Sequence, residues 1–589
     1  MESVEQKRLE NEAENFKLSS QSRITGDHDQ AQERDEDDHG SKRGGWITFP
    51  FIIGNLAGLS IAAGGYGANW IVFLITKFNI GSIAATKINN VGFGFVNLFP
   101  IAGAIIADTF TGNFTVITVS SFIALIGTTM LTLIAGIHSL KPSPCEIGSP
   151  TCETPTKLQY LFLYAAMGFT TLGVGGSRFT IATMGADQFD KTEHQGAFFN
   201  WYFVTLYVGN AISFVAIVYI QDNIGWGLGF GICVIAVVIG LVLLLLGKPF
   251  YRFVKPKGSP FVSIFRVFVA AIRKRKVSRE SLESLDYYSE TTASKIVQSM
   301  PSKTFRFLNR AALKTENDKQ FDSSYSKSWK LCTVEEVENL KTVMKILPLW
   351  STGILLSITI AIVNSLSTVQ ALAMDRKLGS IKIPAGTFLV FSLLSTAISI
   401  FIIDRFFLPT WRKLIGRPMT LLQRIGLGHV INAIGMVVSA LIEARRLHLA
   451  RTEGLTHQPG SVVSMSALWL VVNLTIIGFG EAFQFPGQVA LYYQDFPESL
   501  KSTSTAMISV LIGLGYYLSA AVMDFIDRIT GWLPDNINDG RVDKVYWLCV
   551  VIGTANFGYY SVCAWLYYKY RRDQNADDKG DQQASQFGL

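Results

Sequence analysis

The sequence predicts an all-α membrane protein built from twelve spanning helices in two six-helix halves. Three observations support this. Hydrophobic residues fill 49% of 589 positions and charged residues only 16%, too few charges to wet the faces of a soluble multidomain protein. Apolar stretches long enough to cross a hydrocarbon core of roughly 30 Å recur along the chain. They fall in two sets of six about one long polar insertion, which suggests an internal duplication.

Residues 1–45 hold 12 Asp/Glu and 7 Lys/Arg without apolar periodicity and read as a disordered cytoplasmic tail. They show no cleavable n-region/h-region signal. The first half occupies 46–247, with spans at 49–75, 88–107, 115–137, 158–184, 197–220 and 225–247. Residues 248–340 form a basic linker with 18 Lys/Arg against 10 Asp/Glu. The second half occupies 341–570, with spans at 346–366, 383–403, 425–442, 464–488, 503–523 and 545–568, and 571–589 is a second tail. Lys42 and Arg43 before the first span, the basic linker and "YKYRR" at 568–572 place both termini and the linker in the cytoplasm.

The formal charge of +7 calls for no nucleic-acid partner. Basic residues beside spans report topology and contact with anionic lipid in the bilayer. Ser278 and Ser281 in "RKRKVSRES" are acceptor candidates for a regulatory basophilic kinase. Cys145 and Cys152 lie between spans three and four, on the predicted outer side, where a disulfide can form. The seven histidines are scattered, so no metal or other cofactor is expected. "NFT" at 113–115 falls on the cytoplasmic side and should stay unglycosylated. Asp108 follows span two and Asp404, with Arg405 beside it, follows span eight. Their matched placement suggests a conformational latch, although each alone reads equally well as an end-of-span anchor.

Within the expected spans stand two charges, Arg178 in span four and Glu481 in span ten. A charge in a spanning helix costs roughly 2.5–3.5 kcal/mol on insertion scales. Arg178 alone can snorkel to the interface, and Glu481 alone can bond to backbone. Opposite signs, one in each half, are better explained as partners.

"GGSRFTIATMGADQFD" (175–190) and "FFNWYFVTLYVGN" (198–210) resemble the motifs of proton-dependent oligopeptide transporters, in particular their plant branch, the nitrate transporter/peptide transporter family. "LPLWSTGILLS", "QALAMDRKLG", "KIPAGT", "IIDR", "GFGEAFQFPGQ" and "WLPDNIN" extend the likeness over roughly 46–570. The resemblance implies a major facilitator fold, secondary transport by alternating access, and a plasma membrane address in preference to a vacuolar one. "GGWITFPF" and "SKTFRFLNRAALK" are similar to the subgroup of nitrate excretion transporters.

Two departures from the family pattern bear on chemistry. The family's ExxE[K/R] cluster of span one falls on Leu56, Ala57, Gly58, Leu59 and Ser60, none of which titrates. Arg178 stands where the family has lysine, and arginine keeps its proton when buried. A fixed guanidinium suits an anion, whose oxygens it can meet two at a time. The resemblance pairs this position with Glu481. Some nitrate-carrying relatives use a span-seven histidine, whereas Ile360 and its neighbours occupy that stretch here. Other donors expected at a substrate are Tyr66, Asn69, Asn364 and Gln484, each also able to serve as a packing residue.

The leading expectation is a carrier of nitrate or a similar small anion, with weakened or absent proton coupling and a bias to low-affinity efflux. A carrier of a larger organic solute, such as a hormone or glycoside, is the alternative. A transporter-derived sensor signalling through the linker is a third. No nucleophile–base constellation or phosphate loop supports an enzyme.

Overall fold

The computed structural model describes residues 43–145, 153–254, 260–275, 287–288, 301–302, 304–314, 329, 331–496 and 503–586. Ser278, Ser281 and Cys152 lie outside them, as does nearly all of the expected 1–45 tail. The first half contains α1 (Phe49–Gly67), α2 (Trp70–Phe78), α3 (Ser82–Ile106), α4 (Asn113–Gly136), α5 (Lys157–Ala186), α6 (Thr192–Ile212), α7 (Val218–Asn223) and α8 (Trp226–Leu246). In the linker lie α9 (Pro260–Arg273) and α10 (Arg306–Asn309). The second half contains α11 (Val334–Leu372), α12 (Leu389–Ile402), α13 (Leu408–Ile415), α14 (Leu421–Thr452), α15 (Trp469–Asp495), α16 (Thr503–Thr530) and α17 (Val542–Gln586).

Span one is α1 plus α2, broken at Ala68 and Asn69. Span five joins α6 to α7 through a π turn at Ser213–Ile217, and span eight joins α12 to α13 through another at Ile403–Phe407. Among the described residues, eleven helices are long and apolar enough to cross a membrane. The remaining expected span, α15, is a continuous helix of 27 residues. Asn473, Glu481, Gln484 and Gln488 are polar residues within it.

Local chemistry accounts for several helix starts. Three of the longest helices, α5, α11 and α14, open with reciprocal capping boxes: Thr156 with Gln159, Thr333 with Glu336 and Thr420 with Gln423. Each box satisfies backbone N–H groups that a first turn leaves unpaired. Close seams follow the glycines. A methyl on Gly173 would lie 2.2 Å from the Ala124 backbone nitrogen, and one on Gly58 would lie 2.3 Å from the Ala236 carbonyl oxygen. Backbones approach this closely only over small residues.

The two halves repeat one packing scheme. Spans three and four, two and four, one and six, three and six, and one and five pack together in the first half. The same pairs, six spans further on, pack in the second half. The duplication extends to a detail: span two ends in a π turn at Ala107–Thr111 carrying Asp108, and span eight has its π turn at Ile403–Phe407 carrying Asp404.

Between the halves, span two packs along span eleven. The equivalent pair, five and eight, meets chiefly through the start of span eight and the later part of span five. The end of the bundle carrying the linker is the linker face, and the opposite end is the far face. Inter-half bonds gather toward the far face: Ser82 Oγ donates to the Asp535 carbonyl at 2.8 Å, Lys87 pairs with Asp524 at 2.8 Å, and Asn90 Nδ2 donates to Ser519 at 3.0 Å. Gly386 sits so close to span one that a methyl there would come within 2.3 Å of the Ala68 carbonyl oxygen. A two-residue parallel ladder from β1 (Met374–Asp375) to β2 (Val463–Ser466) ties the far-face loops together.

Part of the linker is packed. The amphipathic α9 buries Val267, Ala270 and Ala271 against Leu308, Ala311, Val337 and Leu340. Arg266 contacts Glu336, and buried Lys341 donates to the Ser302 carbonyl at 2.8 Å. The segment is thus a small satellite core on the extended start of α11, as well as a basic connector.

One expectation about charge is corrected. Arg178 and Glu481 are not the only charges buried among the helices. Helix α14 runs ten residues beyond the expected end of span nine at 442, and within that extension Glu443 and Arg446 form a fully buried pair at 2.7 Å. Gln370, Asn538 and the Ile537 carbonyl complete its hydrogen bonds.

Candidate functional site

A cavity of about 290 Å³ lies where spans one, two, four and five of the first half face Leu393 of span eight. Its cation is Arg178, placed by α5, whose glycine seam holds it against α4. Tyr202 donates to the Arg178 carbonyl at 2.9 Å and steadies the helix there. Arg178 is among the residues that line the cavity. No carboxylate among the described residues lies within ion-pair distance of it.

Span one supplies the opposite wall with Leu56, Leu59, Ser60 and Tyr66. Two of these, Leu56 and Leu59, occupy positions that carry acids in the family pattern. Ser60 donates to the Leu56 carbonyl at 2.7 Å, so its hydroxyl is already engaged. Tyr66 is 6% exposed, and its hydroxyl has no protein partner. A buried, unpaired hydroxyl costs free energy unless something else bonds it.

Glu481 is held apart from Arg178 in this conformation, so the expected ion pair is not formed. Its carboxylate accepts a hydrogen bond from Thr396 at 3.3 Å, within the second half. Tyr207, which lines the cavity, lies within electrostatic reach of both Arg178 and Glu481. Tyr516 lies within reach of Glu481 and of the Asn364 amide, and its ring stacks on Phe93 across the halves at 5.2 Å. The Asn364 carbonyl oxygen is buried without a partner.

Two expected substrate donors are placed elsewhere. Asn69 donates to Gln221 at 3.3 Å and to Asp222 at 3.1 Å, bracing the break in span one. Gln484 is fully buried against His429 at 3.3 Å, inside the second half. Both amides sit in helix-packing contacts, as polar groups in spans commonly do. Tyr207, Tyr516 and Thr396 were not anticipated; a hydroxyl side chain in an otherwise apolar span was the available signal.

The acidic residues of the expected latch also differ from each other. Asp404 pairs with Arg424 at 3.5 Å, and its sequence neighbour Arg405 is not the partner. Asp108 is half-buried in its π turn. Nearby on the linker face, the exposed Asp190 is contacted by Arg252, whose hydrogen bond holds that carboxyl below its usual range. Cys145 is disulfide-bonded. No group of three or more metal-ligating side chains occurs among the described residues.

A larger hollow of about 910 Å³ opens between the halves at the far face. Lys77, Arg376 and Lys382 share it with Asp222 and Asp535, and Arg376 pairs with Asp222 at 4.0 Å. In the central cavity, Arg178 has no carboxylate among the described residues within ion-pair distance.

The sequence profile of the POT family matches residues 114–539. The Arabidopsis thaliana protein NRT1/PTR FAMILY 2.7 is 48% identical over 561 residues, covering 95% of this chain and 98% of that protein. NRT1/PTR FAMILY 2.6 from the same plant is 48% identical over 92% of this chain and 96% of its own length. NRT1/PTR FAMILY 3.1 is 36% identical over 89% of this chain and 91% of its own length. In fold, the chain is similar to the POT family transporter PepTSo, with a TM-score of 0.63 at 16% identity over 90% of this chain and 99% of that one. With its duplicated six-helix halves and inter-half cavity, this chain belongs to the POT family of secondary transporters, in the plant NRT1/PTR branch.

Proposed function

We propose that the protein carries nitrate or a similar small monovalent anion by alternating access, without the span-one carboxylates that couple protons in relatives. The observation that supports this reading is Arg178, a guanidinium without a carboxylate partner among the described residues, in a cavity whose lining includes Leu56 and Leu59. In a site of low dielectric, an unanswered arginine attracts an anion strongly. Tyr66 and Tyr207 bring hydroxyls to the same cavity, and Tyr516 lies within reach of both Asn364 and Glu481. When the halves close on the linker side, Glu481 approaches Arg178 and competes with the anion, which assists its release. The Asp404–Arg424 pair and Asp108 act as latches of that closure. Without coupling, a membrane potential negative inside drives a monovalent anion outward by about 2.3 kcal/mol per 100 mV.

The test is labelled nitrate flux into proteoliposomes, with and without a pH gradient. Arg178→Gln is expected to abolish flux while leaving expression and melting temperature near wild type; unchanged flux would remove Arg178 from the mechanism. One observation favours the second reading, a larger organic anion. The cavity of about 290 Å³ is far roomier than a three-oxygen anion requires, and Phe93, Phe203 and Phe214 line it. Competition separates the two: chloride displaces nitrate in the first case, and bulky aromatic acids do so in the second.

A further inference from the structure

We propose that a hollow on the linker face of the second half binds the phosphate headgroup of an anionic phospholipid. The hollow has a volume of about 680 Å³ and lies between the start of span nine and the ends of spans ten and twelve. Arg417, Thr420, Gln423, Gln494, Tyr567 and Arg571 line it. It shares no residue with the cavity around Arg178.

Two guanidinium groups face this space. Arg417 is exposed and has no protein partner among the described residues. Arg571 is anchored by Asp495 at 3.2 Å, and Asp495 is contacted in turn by the Tyr567 hydroxyl. A guanidinium has five N–H donors, so anchoring by one carboxylate aims Arg571 without exhausting it. Phosphate oxygens fit the donors left over, and paired arginines suit a phosphate better than lysines would.

The surroundings favour a lipid as the source of that phosphate. Trp565 and Tyr568 are 61% and 60% exposed, and Lys569 lies 5.7 Å from the centre of the Trp565 ring. Exposed Trp and Tyr beside cationic side chains mark the headgroup level of a bilayer. On the other flank Leu414 is 82% exposed, three residues before Arg417. A lipid seated here puts its phosphate between the arginines and its chains against these apolar side chains. A free phosphate gains only the first set of contacts. The occupant would clasp spans nine, ten and twelve together at the end of the helix that carries Glu481.

The test uses the full-length protein in detergent micelles, with melting temperature as the readout. Dioctanoyl phosphatidic acid, dioctanoyl phosphatidylcholine and inorganic phosphate are added at matched concentrations. Phosphatidic acid is expected to raise the melting temperature by several degrees, and the other two to leave it unchanged. Arg417→Gln should remove at least half of the shift and R417Q/R571Q all of it. A shift that survives the double substitution, an equal shift with inorganic phosphate, or no shift with phosphatidic acid would each overturn the proposal. If loss of the Asp495 contact prevents R571Q from folding, R417Q decides alone, because an exposed, unpaired arginine contributes little to folding.

Discussion

Arg178 was conspicuous in the sequence because a charge inside an apolar span demands a reason. The structure gives one by placing it in the lining of the inter-half cavity. The surrounding hydroxyls and amides were harder to assign. Tyr66 is in the cavity, but Asn69 and Gln484 are spoken for by Gln221, Asp222 and His429. Any polar residue in a span seeks a partner, and the identity of that partner depends on helices far away in sequence. The leucines of span one yield a sharp prediction. Leu59→Glu places a carboxylate on the wall of the cavity that holds Arg178 and should cut nitrate flux at neutral pH by at least tenfold. Because the ionised form is the one that neutralises the arginine, flux should recover as acid protonates Glu at that position, a pH dependence that the parent lacks. Proteoliposome flux measured from pH 7.5 down to 5 checks both signs.

At the scale of elements, capping boxes set helix starts at Lys157, Val334 and Leu421, whereas the apolar stretches begin at 158, 346 and 425 and locate only the first of them closely. Span nine was misjudged because its apolar stretch stops at 442 while the helix continues to Thr452. Glu443 and Arg446 then lie one turn apart in the interior, joined to Gln370 of span seven and to Asn538. Removing one member of a buried pair strands the other. Arg446→Met is therefore expected to destabilise the second half by about 3–5 kcal/mol. The double substitution E443L/R446M should recover much of that loss, since well-packed apolar side chains often replace a buried pair without penalty. Denaturant titration of the purified protein in detergent measures both. The linker helix α9 shows the same lesson in reverse: it falls in a segment read only as a basic linker, yet its apolar face covers the start of α11.

For the whole molecule, the repeated packing scheme makes the halves near-equivalent bodies, and the distribution of bonds between them defines the conformation. Ser82, Lys87, Asn90 and Gly386 join the halves toward the far face. Spans five and eight make much less of their equivalent seam. Transport by rocking of the halves requires the far-face contacts to part. Joining K87C to D524C with a short bifunctional maleimide should therefore stop nitrate flux, and cleavage of a reducible version of the reagent should restore it. Flux that continues through the cross-linked protein would exclude alternating access by that motion.

Composition and spacing by themselves determined the membrane class, the six-plus-six organisation and the isolation of a fixed cation in span four. These depend on hydrophobicity and charge, which each residue carries wherever it is placed. Tertiary structure alone decided that Glu481 turns to Thr396, that Asp404 selects Arg424, and that two of the expected donors serve packing. Those outcomes depend on distances between helices, because a hydrogen bond or ion pair acts only over a few ångströms and sequence spacing does not reveal which spans lie that close.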